Sequence, residues 1–288
     1  IYALGTNDKL FHPVKGIFEF QNHCARNRTK LCTKIIYVSV SESLNYSSFL
    51  CLSICSLLRY HQCEINVLTD NDTKFLPFIE HHASIERINI AEENATVEWR
   101  SRYLKTQIGR YARGRFLYLD CDTIVVRPID EIDSCNCDLS CSLEYNSVYA
   151  VDMGYAHSNV VGENYSASLC RNVYFNSGVM LCNGSETALD FFDYWHSEWM
   201  KYVEMTGKCI DQPSLYKANM LRNGFIKELP SKFNWMSHMH QHMCTDCRIL
   251  HYWHNMAQDC DLNNILSSIA NGGSVTDEMI NKILFKYM

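Results

Sequence analysis

The stretch RFLYLDCDTIVV (residues 115–126) places two aspartates, Asp120 and Asp122, one residue apart between two apolar runs. Residues 116–119 predict a short buried parallel strand. In open α/β sheets ligands bind beyond the carboxyl ends of such strands, which is where these aspartates fall. A bare carboxylate taken out of water is costly unless its charge is compensated. The simplest compensation is a hard divalent ion such as magnesium or manganese, which takes oxygen ligands and links carboxylates to substrate phosphates. An Asp-rich turn after a strand would leave the same three letters, and the motif alone does not choose between the two.

The chain has 288 residues, enough to bury a large core in one big α/β domain or two small ones. Apolar residues make up 47% and charged residues 20%, the balance of an ordinary globular protein. Lys+Arg 26 against Asp+Glu 32 leaves a net charge of −6, which argues against nucleic acid or anionic lipid as the main partner. No uninterrupted apolar run reaches the roughly 20 residues of a membrane span. The sequence starts at Ile1, so a preceding targeting or anchoring segment stays open.

Working back from the aspartates, strand and helix patterns alternate. KIIYVSV (34–40) is a β-branched run, NYSSFLCLSICSLLRY (45–60) has helical spacing, and EINVLTD (64–70) is a second strand. DTKFLPFIEHH suggests a short helix interrupted at Pro77, SIERINI (84–90) a third strand, and EWRSRYLKTQIGRYA (98–112) an amphipathic helix leading into the D-x-D strand. Such alternation implies a parallel sheet with right-handed crossovers and helices on both faces. Residues 1–8 also read as a strand with a polar end. The even spacing of the units from Ile35 onward favours 35–40 as the first nucleotide-binding strand, with 1–8 an added one.

Fifteen cysteines are spread along the chain. Cys51, Cys55, Cys121 and Cys182 sit in apolar patterns and read as small buried hydrophobes. CNCDLSC (Cys135, Cys137, Cys141) and HMHQHMCTDCRILH (His238, His240, His242, Cys244, Cys247, His251) are clusters open to loop thiols, a disulfide or zinc, although the second lacks a second well-spaced ligand pair. Six N-x-S/T sequons start at Asn27, Asn45, Asn71, Asn94, Asn164 and Asn183. Cysteines that look unpaired favour a reducing cytoplasm. A Golgi or secretory lumen is the alternative if an N-terminal anchor has been trimmed.

The second half turns one motif into a constellation. YVSVSESLNY, VLTD, RYLKTQIGRY, YLDCDTIV, FNSGVMLCN, DQPSL, LPSKFN and LHYWH follow one another in order, and in this the chain resembles glycosyltransferase family 8, the glycogenin-like and bacterial galactosyltransferase-like enzymes of the GT-A fold. The resemblance runs from about Ile35 to His254. It implies an α/β fold with a mostly parallel Rossmann-like sheet flanked by helices and a smaller mixed-sheet acceptor subregion. The expected organisation is a single domain over 1–288: an extra strand and helix in 1–34, a nucleotide-binding half in 35–125, an acceptor half in 126–260 and a helical tail in 261–288.

The resemblance further implies transfer of a sugar from a nucleotide-sugar donor, a UDP-sugar, to a glycan or protein acceptor with retention, helped by Mn2+ or Mg2+. Asp120, Asp122 and His251 would hold the ion. Val38, Ser39, Ser41, Asn45 and Tyr46 would meet the nucleotide, with Thr6 and Asn7 taking that role if residues 1–8 form the first strand. Arg102, Lys105, Cys121, Asn176, Ser177 and His254 complete the donor contacts. Asp211, Gln212 and Asn176 are the catalytic candidates. The same residues have plainer readings: a solvated helix face for Lys105, a strand-edge histidine for His251 and a helix N-cap for Asp211.

One departure stands out. The family follows its late histidine with H-x-x-G-x-x-K-P-W, whereas HYWHNMAQD puts His254 and Ala257 at the glycine and lysine positions. His254, Lys105 or Arg248 would then supply the missing cation, or the donor differs. A catalytically weak sugar-nucleotide-binding or scaffold protein is therefore one alternative. An inverting transferase with Asp152 or Asp211 as base is another. At the C-terminus, Ser274 with Asp277 predicts a capping box for a helix presenting Ile280, Ile283, Leu284 and Tyr287 on one face.

Overall fold

The structure is a computed structural model that describes residues 28–92, 95–144, 174–236, 245–252 and 260–287. In chain order the strands are β1 Thr29–Lys30, β2 Lys34–Val38, β3 His61–Gln62, β4 Ile65–Thr69, β5 Ser84–Arg87, β6 Phe116–Leu119, β7 Thr123–Val125, β8 Leu139–Leu143, β9 Phe175–Cys182, β10 Lys227–Glu228, β11 Trp235–Met236 and β12 Ile249–His251. The helices are α1 Leu44–Leu58, α2 Pro77–His82, α3 Val97–Thr106, α4 Ile108–Tyr111, α5 Glu186–Thr206, α6 Gln212–Leu221, α7 Cys260–Ala270 and α8 Asp277–Tyr287.

Seven strands form the main sheet in the order β10-β8-β9-β6-β2-β4-β5. Pairing is parallel from β6 through β5, while β9 runs antiparallel to both β6 and β8. A second sheet, β11-β12-β7, is mixed. This is the expected α/β architecture, with β2 paired in parallel on both sides, to β6 and β4. The possible strand at 1–8, including Thr6 and Asn7, lies outside the described residues.

Strand alternation divides the core between the two faces of the sheet. Ile35, Tyr37, Val67, Leu117, Leu119, Val179 and Leu181 face α1 and the C-terminal helices, whereas Ile36, Val38, Leu68, Phe116, Tyr118, Met180 and Cys182 face α3, α4 and α5. Helix α1 packs against both β7 and α7, so most of it is buried, four serines included. Its buried serines are satisfied internally: Ser53 Oγ meets Tyr37 OH at 3.0 Å and Thr123 Oγ1 at 3.1 Å, and Ser56 Oγ accepts the Val125 N–H at 2.9 Å. Helix α5 starts at a Ser185 cap and ends at Gly207, whose φ of 67° is the left-handed conformation that closes a helix.

Several local expectations change. Pro77 begins α2 instead of interrupting it, because proline is tolerated in the first turn where its missing N–H has no partner to lose. The long helix over 98–112 breaks at Gln107 into α3 and α4. The cap of α8 is Thr276, which accepts the Met279 N–H at 3.2 Å, not Ser274. Ile280 and Ile283 are buried as expected, and the side chains of Leu284 and Tyr287 lie outside the described set. Cys51, Cys55 and Cys182 are buried, Cys121 is half-buried, and no disulfide joins the cysteines whose side chains are described. Of the histidine and cysteine cluster only Cys247 and His251 are described, so the zinc expectation lies outside the described residues. No described helix is long and apolar enough to cross a membrane.

Candidate active site

The D-C-D tripeptide is the junction between the two sheets. The Asp120 N–H still bonds Gly178 O of β9 at 2.8 Å, and the Tyr252 N–H already bonds Asp122 O at 3.2 Å, beyond β12. Between them Thr123 Oγ1 donates to Asp120 O at 2.8 Å and fixes the turn. The chain changes sheets within three residues, and both carboxylates emerge at the carboxyl edge of β6, where His251 from β12 meets them. His251 Nε2 lies 3.4 Å from Asp122 Oδ1 and 4.0 Å from Asp120 Oδ2, and all three ligand atoms lie within 4.8 Å of one another.

Gly178 makes this convergence sterically possible. A Cβ there would lie 2.2 Å from His251 Cε1 and 2.7 Å from Nδ1, so the glycine of FNSG leaves the space that the imidazole ring fills. The ring orientation is also determined. Asn234 Nδ2 donates to Asn176 Oδ1 at 2.9 Å, which turns Asn234 Oδ1 toward His251 Nδ1 at 3.0 Å. An oxygen acceptor at Nδ1 requires the N–H on that nitrogen, which directs Nε2 at the carboxylates: protonated it pairs with Asp122, and deprotonated it offers its lone pair to an ion. Burial alone would lower the His251 pKa, but Asp122 and Asp120 hold it above the ordinary value. Asp122 in turn is lowered by His251 against the opposing effect of its own burial. Two carboxylate oxygens and one oriented imidazole nitrogen suit manganese or magnesium.

A second cluster adjoins the first. Lys105, 2% exposed, places Nζ 3.1 Å from Asp120 Oδ1 and 3.0 Å from Asp211 Oδ2. Arg102 Nε lies 3.2 Å from Asp211 Oδ1, and Ser177 Oγ donates to Asp211 Oδ2 at 2.7 Å. Burial would raise the Asp211 pKa, but Lys105, Arg102 and Ser177 bring it well below the usual carboxylate range. Burial opposes the charge on Arg102 as well, yet Asp211 and Asp120 hold its pKa above the ordinary value. Asp211 occupies the cap position of α6, but its side chain makes no capping bond. Lys105 does not lie on the solvated helix face that its local sequence suggests.

A cavity of about 560 Å³ opens beside the junction, lined by Val38 at the end of β2, Ser39 and Ser41 just after it, Tyr46 from α1, Arg102 from α3, and Asp120, Cys121 and Asp122. Glu42 and Glu98 also line it. Cys121 Sγ donates to Val38 O at 3.4 Å, and burial pushes its thiol well up, so it packs as a neutral group. Tyr46 is 56% exposed. Asn45 lies in α1 with its side chain outside the described set, and His254 and Asp152 are outside the described residues.

Asn176 is buried, with Oδ1 accepting from Gly178 N at 2.8 Å as well as from Asn234, so it braces the site. Gln212 Nε2 donates to Glu144 Oε2. Three contributors are absent from the sequence-based set. Gly178 and Asn234 stand inside quoted motifs, at the last letters of FNSG and LPSKFN, whereas Glu144 follows LSCSL with no local sign of a site.

A Rossmann-like sheet whose carboxyl edge carries a carboxylate pair, continued by a small mixed sheet, is the GT-A glycosyltransferase architecture. The model of glycosyl transferase family 8 matches residues 29–256, from β1 to just beyond β12. The chain belongs to that family and is a glycosyltransferase. No curated protein matches it. The galactosyltransferase LgtC, solved with donor and acceptor sugar analogs, superposes with a TM-score of 0.56 at 17% identity, over 87% of this chain and 100% of LgtC. Apo mouse xyloside xylosyltransferase 1 gives 0.53 at 12% identity over 79% of this chain and 99% of its own. The glycosyltransferase GlyE of Streptococcus pneumoniae TIGR4 gives 0.53 at 16%, over 89% of this chain and 64% of GlyE. At these identities the likenesses establish a shared fold.

Proposed function

We propose that this chain transfers a sugar from a UDP-sugar donor to a glycan or protein acceptor with retention of configuration, at a divalent ion held by Asp120, Asp122 and His251. The observation that carries the reading is the convergence of those three side chains, with Nε2 of His251 directed at the carboxylates, beside a cavity at the carboxyl ends of β2 and β6. Manganese or magnesium, when bound there, acts as a Lewis acid on the departing nucleoside diphosphate.

The remaining roles belong to the chain's own residues. Ser39, Ser41, Asn45 and Tyr46 hold the nucleoside, and the exposed ring of Tyr46 stacks on the base. Lys105 neutralises Asp120 and Asp211 together, keeping both carboxylates oriented. Ser177 and Arg102 fix Asp211, which is too weak a base to take the acceptor proton. Gln212 is a neutral amide, so it supports an oxocarbenium-like state by its dipole and makes no covalent adduct. The acceptor proton then goes to the leaving phosphate on the same face. The whole of 1–288 is read as one GT-A domain, divided as the sequence suggests.

The test is a panel of nucleotide sugars with Mn2+, followed by NMR of the anomeric proton in donor and product. Turnover of one donor with the same anomeric configuration supports the reading. An inverted product would overturn retention, and nucleotide binding without turnover on any donor would make the chain a sugar-nucleotide-binding scaffold.

A further inference from the structure

This inference rests on the function proposed above and concerns a residue outside the set discussed there. Glu144 follows β8 and is 5% exposed. Its carboxylate accepts the Gln212 Nε2–H, and the side-chain amide of Asn176 is its second partner. A carboxylate only accepts, so it decides which way each neighbouring amide faces. Asn176 turns Nδ2 toward Glu144 and Oδ1 away, to Gly178 N and Asn234 Nδ2. Asn234 then presents Oδ1 to His251 Nδ1. Donors run one way along this chain, from His251 through Asn234 and Asn176 to Glu144, and Gln212 joins from the other side.

We propose that Glu144 is a positioning residue for transfer: by taking the Gln212 Nε2–H it commits the amide oxygen Oε1 to the sugar side of the site. An oxygen there supports positive charge developing at the anomeric carbon, whereas an N–H would oppose it. The charge-assisted bond from Nε2 also draws electron density toward Oε1. Burial raises the Glu144 pKa to about 7, with Gln212, His251 and Asn176 favouring the ionised form and Asp211 opposing it. The ionised acceptor is therefore well populated near neutrality.

The test uses Glu144→Gln, which keeps the shape but presents a donor on one arm and so cannot accept from Asn176 and Gln212 together in the native geometry. Steady-state kinetics with the donor found in the panel are measured for the wild type, Glu144→Gln, Gln212→Ala and the double variant, with UDP affinity by calorimetry as the check on folding. The expected result is a kcat lowered on the order of 10- to 100-fold with donor KM and UDP affinity held within about 3-fold. In the Gln212→Ala background, Glu144→Gln adds less than about 2-fold, because Glu144 acts through that amide. Glu144→Asp, which still only accepts, recovers part of the loss. A wild-type kcat in Glu144→Gln, an effect on KM alone, losses that multiply in the double variant, or an Asp variant slower than the Gln variant would each overturn the role. No turnover by the wild type on any donor would remove the functional reading and this role with it; unaffected Glu144→Gln in an active enzyme removes this role alone.

Discussion

Lys105 and Asp211 form a buried ion pair, Nζ to Oδ2 3.0 Å, and the same ammonium lies 3.1 Å from Asp120 Oδ1. One cation thus ties the carboxylate pair at the sheet junction to the carboxylate at the head of α6. Replacing Lys105 by Met leaves Asp120 without its lysine and Asp211 with Arg102 and the Ser177 hydroxyl. Removing one partner of a buried pair costs about 3–5 kcal/mol, and that is the destabilisation expected in urea unfolding. A cost below about 1 kcal/mol would mean that water already screens both carboxylates.

Gly178 is required by a neighbour in space and not by its own backbone. Gly178→Ala sets a methyl against the His251 ring, and overpacking of this kind costs about 1–3 kcal/mol. The displaced imidazole no longer reaches the carboxylates, so Mn2+ affinity measured by electron paramagnetic resonance should fall at least about tenfold, a loss of about 1.4 kcal/mol. Unchanged Mn2+ affinity in a folded variant would place the ion elsewhere.

Tyr46 is exposed on the cavity rim and contributes little to the core. Tyr46→Ala should leave stability within about 0.5 kcal/mol while weakening UDP binding by about 1–3 kcal/mol, the worth of one aromatic stack on a base. Equal UDP affinity in calorimetry would show that the base stacks on another surface.

Glu144 gives a pH dependence of defined sign. Its folded-state pKa of about 7 lies above the ordinary 4.5, because burial disfavours the charge. The folded protein therefore holds this proton more tightly than the unfolded chain does. The resulting stability is fully present below about pH 4.5 and is lost as the pH rises through about 7, a swing on the order of 3 kcal/mol. The unfolding free energy of the wild type minus that of Glu144→Gln should fall by that amount across this range. A difference that is flat with pH would contradict the raised pKa.

The part of this site that can be read from the sequence is the part whose chemistry interrupts a pattern. Two carboxylates in an apolar run announce the end of β6, and the regular alternation of strands and helices announces the sheet around it. Lys105 could not be placed the same way, since a lysine in an amphipathic helix reads as solvated. What buries it is Asp211, distant in sequence and brought close by α6. Gly178 and Asn234 act through His251, so the motifs that contain them do not show their roles, and Glu144, beside Gln212, carries no local signal at all. The antiparallel direction of β9 is likewise absent from its composition, which specifies a buried strand but not its direction.

The central claim is that the junction of the two sheets binds a nucleotide through a divalent ion. The most direct measurement is calorimetric titration of UDP into the wild type and Asp122→Asn, each with Mn2+ and with the metal chelated. The account predicts UDP binding by the wild type that requires Mn2+ and is lost in Asp122→Asn. Binding of equal strength with and without metal, or undiminished in Asp122→Asn, would contradict it.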